Sequence, residues 1–92
     1  QAILDVQVDP DGRWVVAGTL DGSVLVWDLT TEERVARLVG HRDRVASLAI
    51  GPGGRLLTGS WDHTRRLARL PTAPVDAEAR LAAIERAWGP AE

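Results

Sequence analysis

The sequence predicts an all-β protein: two consecutive antiparallel sheets made from one repeated unit, followed by a short C-terminal helix. Three observations predict it. The first is the stretch Ala17 to Leu29, AGTLDGSVLVWDL, in which two apolar runs flank Asp21-Gly22. Asp-Gly between β-rich runs signals a hairpin, because a type I′ turn needs positive φ at both central residues. The second is repetition. Gly18, Thr19, Asp21, Ser23 and Val26 match Gly59, Ser60, Asp62, Thr64 and Leu67 at an offset of 41. Upstream, Asp9 to Arg13 (DPDGR) matches Gly51 to Arg55 (GPGGR) at an offset of 42, so one residue is lost in between. The third is alternation with period two, which marks strands rather than helices.

Taken in order, Ile3 to Val8 sets Leu4, Val6 and Val8 against Asp5 and Gln7, which predicts a half-buried strand. Asp9-Pro10-Asp11-Gly12 is a turn, with φ fixed by Pro and the left-handed position supplied by Gly. Trp14 to Thr19 is the second strand. Ser23 to Asp28, apolar and β-branched, is a buried third. After the polar turn at residues 29–33, Arg34 to Leu38 is an outer strand with charges suited to an edge. The second unit repeats the plan. Strands are predicted over Val45 to Ile50, Arg55 to Ser60 and Thr64 to Leu70, with turns at Gly51 to Gly54 and Trp61 to His63. Pro71-Thr72-Ala73-Pro74 then stops the pattern, since two prolines remove ladder donors. Residues 76–88 read as a helix. Asp76 suits the N-cap, Ala77, Leu81, Ile84 and Trp88 form one stripe, and Gly89-Pro90 is a stop signal. Such a helix either shields the second sheet or docks another subunit or domain.

A repeat of about 40–45 residues is the signature of a four-stranded propeller blade. With Gly40-His41 opening the second repeat and Trp27-Asp28 closing the first, the sequence resembles the WD-repeat family of β-propellers over roughly residues 3–70. Trp61-Asp62 also spells WD, but it falls at the second hairpin turn. The resemblance implies two antiparallel blades of the four-stranded type. The first is 1–39 and the second, with three strands, is 40–70; a Pro-rich linker (71–75) and the helix and tail (76–92) follow. It further implies that the second blade is the last of its ring and that its missing strand lies upstream of Gln1. The chain has no Met at position 1 and opens in a strand, so it is expected to be a piece of a longer protein.

His41, Ser60 and Asp62 invite comparison with a Ser-His-Asp hydrolase. No nucleophile elbow or oxyanion feature accompanies them, and no enzyme activity is expected. In the family a His, a Ser/Thr, an Asp and a Trp form a buried hydrogen-bond network. The resemblance assigns His41, Ser60 and Asp62 to it in the second unit, where Ala68 stands at the Trp position, and Thr19, Asp21 and Trp27 in the first. It also places Trp61, Arg44 and Ala46 on the top face, where an exposed Trp beside an Arg has the composition of a binding hot spot. Arg65 matches Val24, a core-facing position, so it is expected to snorkel to the sheet edge.

The bulk numbers exclude much. Ninety-two residues allow one small domain. No apolar run approaches the roughly 18 residues of a membrane span. Cysteine is absent, which fits a cytoplasmic, reducing setting. His41 and His63 lie in different loops, so no metal is expected, and no glycine loop matches a nucleotide site. No cofactor is implied. Charge is polarised. Residues 1–33 carry seven acids against one Arg, and residues 34–69 carry eight Arg against two Asp. That basic second unit is either a solvated face or a partner surface. Nucleic acid is disfavoured as the partner, because no Lys, Phe or Tyr is interleaved for stacking. The expected function is therefore a non-catalytic scaffold binding a protein or peptide on its top face. The alternatives are a regulatory or sensor propeller fused to an upstream effector enzyme, or a fragment that rebuilds a ring by self-association. Alone, two blades leave two apolar faces and a strand edge uncovered.

Overall fold

The computed structural model describes residues 2–71 and 77–90, those of 77–81 by backbone only. The first sheet contains β1 (Ile3–Val8), β2 (Trp14–Thr19), β3 (Val24–Asp28) and β4 (Glu33–Leu38), antiparallel in that order. The second contains β5 (Val45–Gly51), β6 (Arg55–Ser60) and β7 (Arg65–Arg69), again in sequence order. A short 3-10 turn (Pro52–Gly54) joins β5 to β6, and α1 (Ala77–Ala87) follows β7. The strands expected from Ser23 and Thr64 each begin one residue later. The helix expected over 76–88 spans Ala77–Ala87, and Asp76 and the side chains of Ala77 and Leu81 lie outside the described residues, as does most of the 71–75 linker.

Register assigns the faces. In the first sheet Gln7, Val16, Val26 and Ala36 form one cross-strand row, and Val6, Ala17, Leu25 and Arg37 form a row on the other side. Val16, Val24 and Val26 are fully buried against Val45, Leu48, Leu56 and Leu70 of the second sheet, so the main core lies between the sheets. Gly18 is part of this contact. A Cβ there would stand 2.7 Å from Val45 Cγ1, so only glycine lets β5 approach β2 this closely.

The half-buried reading of β1 is corrected in its sense. Asp5 turns toward the second sheet and its Oδ2 accepts the Leu48 N–H at 3.0 Å. Val6 and Val8 are 49% and 52% exposed. The alternation is as the sequence predicts, but no sheet covers the apolar side of β1 within these residues. On the second sheet Leu57 and Leu67 are exposed in the same manner. Arg65 is exposed rather than snorkelling out of a core, because among the described residues no second sheet packs on its face of β7.

The helix packs across the outer side of both sheets, against β4 and β7. Ile84 is fully buried. Trp88 Nε1 donates to the Val39 carbonyl at 2.7 Å, and Gly89 N donates to the Leu67 carbonyl at 2.9 Å. Arg66 Nη1 reaches the Gly89 carbonyl at 2.9 Å while its guanidinium lies over the Trp88 ring. The C-terminal segment therefore takes one backbone position on the outer margin of β7. On the inner side, Trp14 is 1% exposed and its Nε1 donates to the Pro71 carbonyl at 2.9 Å, tying the first sheet to the end of the second.

Candidate functional site

Two clusters gather at the end of the sheets that holds the hairpin turns. The first is buried and centred on His41. The Asp62 carboxylate can only accept, so Nδ1 carries the hydrogen toward Oδ2, 3.3 Å away, with Thr64 Oγ1 at 3.2 Å. In the neutral ring Nε2 is then the acceptor, and the Thr58 hydroxyl donates to it at 2.8 Å. Asp62 also accepts the Arg42 N–H at 2.9 Å and the Thr64 N–H at 2.8 Å. The network thus ties the Gly40-His41 loop to the β6–β7 turn.

The β6 hydroxyl that meets His41 is that of Thr58, not of Ser60 as the resemblance assigns. Ser60 Oγ donates to the Asp43 carbonyl at 3.0 Å and accepts the Asp62 N–H at 3.1 Å. The two residues are two apart on one strand, roughly 6.6 Å along it, so one ring nitrogen cannot serve both. The Ser60–His41 contact that a hydrolytic relay needs is not made. The only sequence signal for Thr58 is its position, one strand repeat before the turn serine.

In the first unit the Thr19 hydroxyl meets the Asp21 carboxylate, and Ser23 N donates to both, at 3.0 and 3.1 Å. Arg37 closes the outside with a 2.9 Å ion pair to Asp21. Trp27 does not join them. It pairs with Val15 and Arg34 near the opposite end of β3, four residues or about 13 Å of strand from Ser23. Ala68, at the Trp position of the second unit, is buried; the indole near His41 is Trp88, 6.1 Å away and edge-on. In the sequence Trp88 belongs to a helix stripe, and no motif ties it to this cluster.

Hydrogen bonds set the acidity of both turn aspartates. The Thr19 hydroxyl, with Ser23 and Arg37 adding to it, lowers Asp21 to about 2 from an ordinary 3.8. The Thr64 hydroxyl, ahead of the Arg42 and Thr64 amides and His41, holds Asp62 well below the carboxylate range. A carboxylate depressed by folding stabilises the fold above its unfolded value and loses that contribution as pH falls through the folded one. Stability is therefore expected to be level from pH 7 down to about 4 and to fall between about pH 4 and pH 2. Urea midpoints across this range check it, and Asp62→Asn should flatten the fall.

The second cluster is exposed. Trp61 is 58% accessible, and the Arg44 guanidinium lies 3.9 Å over its ring. Trp61 N donates to the Arg44 carbonyl at 3.1 Å, so the turn and the strand entry are locked together. Ala46, two residues on, is exposed beside them. Among the described residues no group of three His, Cys, Asp or Glu could hold a metal ion, and no helix is long and apolar enough to cross a membrane.

Two adjacent antiparallel sheets, packed face to face with a His–Asp–Thr tie at the turn end, define consecutive blades of a β-propeller. The family model for "WD domain, G-beta repeat" matches residues 1–28 and 32–64, and the chain belongs to the WD-repeat family. It is 45% identical over 62 residues to a periodic tryptophan protein 2 homolog of Neurospora crassa, covering 65% of this chain and 7% of that protein. It is 42% identical over 57 residues to guanine nucleotide-binding protein subunit beta-5b of Danio rerio, covering 61% and 14%. It is 33% identical over 72 residues to the nuclear distribution protein nudF of Aspergillus niger, covering 78% and 15%. The chain thus spans 7% to 15% of the length of these relatives. A chain in the crystal structure of the mitotic checkpoint complex shares the fold, with a TM-score of 0.67 over 72% of this chain and 20% of its own, at 23% identity.

Proposed function

We propose that the chain is part of a non-catalytic scaffold that binds a protein or peptide on the turn end of its blades, with Trp61 and Arg44 as the anchor. The observation that carries this is the exposed Trp61 ring under the Arg44 guanidinium. An aromatic plane and a cation held at fixed separation offer large contact area at low entropic cost. Arg42, exposed two residues before Arg44, leaves this loop net positive beside the Asp43–Arg44 pair, so an acidic peptide segment is the favoured ligand class. The relatives include proteins whose names place them in multi-subunit settings, such as a G-protein β subunit, and this supports a scaffold role.

Selection of a displayed random-peptide library against the chain tests it. Enriched peptides are expected to carry Asp or Glu and to quench Trp61 fluorescence. They should lose about tenfold or more in affinity on Trp61→Ala, the scale of a hot-spot residue. Peptides that bind Trp61→Ala and Arg44→Ala as well as the parent would move the site elsewhere.

A further inference from the structure

A cleft of about 420 Å³ lies against the turn that carries Trp61, lined by Gly40, Arg42, Asp62, Thr64 and Arg66. Its walls are the loop joining the two sheets, the β6–β7 turn, and the side of β7 that shares a cross-strand row with buried Thr58. It therefore belongs to a contact the chain makes with itself and not to either uncovered sheet face. Arg66 is fixed in it from several directions. Its Nη1 donates to the Gly89 carbonyl at 2.9 Å, and its Cζ lies 5.1 Å from the centre of the Trp88 ring. Gly40 leaves the room that the guanidinium takes, since a Cβ there would stand 2.4 Å from Arg66 Cζ. Nε is buried and finds no acceptor in the protein, so the donors of this group are not all used. A planar fork with spare donors, held still by its surroundings, is suited to a carboxylate. Arg42 lines the same cleft. Its backbone N–H serves Asp62, while its exposed guanidinium joins none of the ion pairs among the described residues.

Charge selects among anions. Each oxygen of Asp62 already takes two donors: Oδ1 the N–H and hydroxyl of Thr64, Oδ2 the His41 Nδ1 and the Arg42 N–H. A carboxylate offers about four acceptor sites, so Asp62 has none left for either guanidinium. Two arginines against this one carboxylate leave the lining with a single net positive charge. That balances one carboxylate, whereas a phosphate dianion would meet repulsion from Asp62 with no third cation to offset it. The geometry points to this cleft as a subsite for a carboxylate side chain, with Arg66 the fixed half of a clamp and Arg42 the movable half. The subsite rests on the reading of Trp61 as a partner's anchor, and it seats an Asp or Glu of that partner beside the Trp61 turn.

Titration of the 92-residue chain with N-acetylglutamate α-amide, whose only charge is its side-chain carboxylate, tests this. The readout is the nitrogen-15 NMR signal of each arginine Nε–H. Saturating shifts are expected at Arg42 and Arg66, and none with the neutral glutamine counterpart. Arg42→Gln should weaken the binding about tenfold, the scale of one hydrogen bond to a charged group. Arg66→Lys keeps the charge but loses the fork and should weaken it likewise; if that change loosens the seat of Trp88, Arg42→Gln decides alone. Shifts of equal size at Arg55 and Arg69, which face each other across the β6–β7 ladder, would be diffuse charge attraction and overturn the subsite. So would tighter binding of inorganic phosphate than of the carboxylate, or an affinity unmoved by Arg42→Gln. The titration needs no peptide. Success here with peptides that ignore Trp61 keeps the subsite and removes the anchor, and the reverse keeps the anchor and overturns the subsite.

Discussion

Replacing Trp14 by alanine is expected to remove most of the stability of this chain. Trp14 is the largest fully buried side chain, and it works at two levels. Its ring fills the space between the sheets beside Val16, and its Nε1 satisfies the Pro71 carbonyl at the far end of the second unit. A buried Trp→Ala change costs about 3–5 kcal/mol through lost burial and the cavity left behind. The part-buried Pro71 carbonyl also loses its donor, which adds about 1 kcal/mol for the lost hydrogen bond. Small domains are stable by only about 5–15 kcal/mol. A urea titration followed by circular dichroism should show the midpoint collapse toward zero. Trp14→Phe keeps most of the ring but not the donor, and should fall between the two.

The second large effect is expected at Gly22. The Asp21-Gly22 turn reads from sequence as a hairpin, but the demand on Gly22 is greater than turn geometry alone. Its φ is +89°, and a Cβ there would stand 2.4 Å from the His41 carbonyl oxygen and 2.8 Å from that of Asp43. Both obstacles are backbone and neither can swing away. Gly22→Ala therefore combines left-handed strain of about 1–2 kcal/mol with overpacking of about 1–3 kcal/mol. The second unit supplies the control. His63 holds the equivalent position at φ 70 with its side chain exposed, because its side of that sheet is uncovered. His63→Gly should shift the urea midpoint little, while Gly22→Ala should shift it strongly. Equal shifts would mean that the turn, not the neighbouring sheet, sets the requirement.

These two positions show how the sequence and the packing divide the information. The Asp-Gly dipeptide, the offset of 41 and the two-residue alternation are local or periodic properties, so the strands, their order and the break after Leu70 are legible without coordinates. Bounds shift by one residue at β3, β4, β5 and β7, where ladder bonds rather than propensity decide the terminal paired residues. The candidate site was legible in part. His41, Asp62, Trp61 and Arg44 are brought together at one end, because turns and strand entries converge there in any antiparallel sheet. Thr58 was not legible, since choosing between it and Ser60 needs the height of the His41 ring along β6. The resemblance assigns Trp27 to the network, but the length of β3 carries it away. Trp88 could be read as helix stripe but not as the indole beside His41, because that contact joins residues 47 positions apart through no repeat or motif.

The amino-acid order alone determined that this is repeated antiparallel β-structure, because hydrophobic period and turn chemistry act over a few residues at a time. Tertiary structure alone decided which side of each ribbon is dry. The alternation of β1 specifies two different sides but not which one meets a neighbour, and here the apolar side, Val6 and Val8, is the one that faces water. That choice depends on what stands beside the sheet, a relation between distant segments that no local pattern encodes.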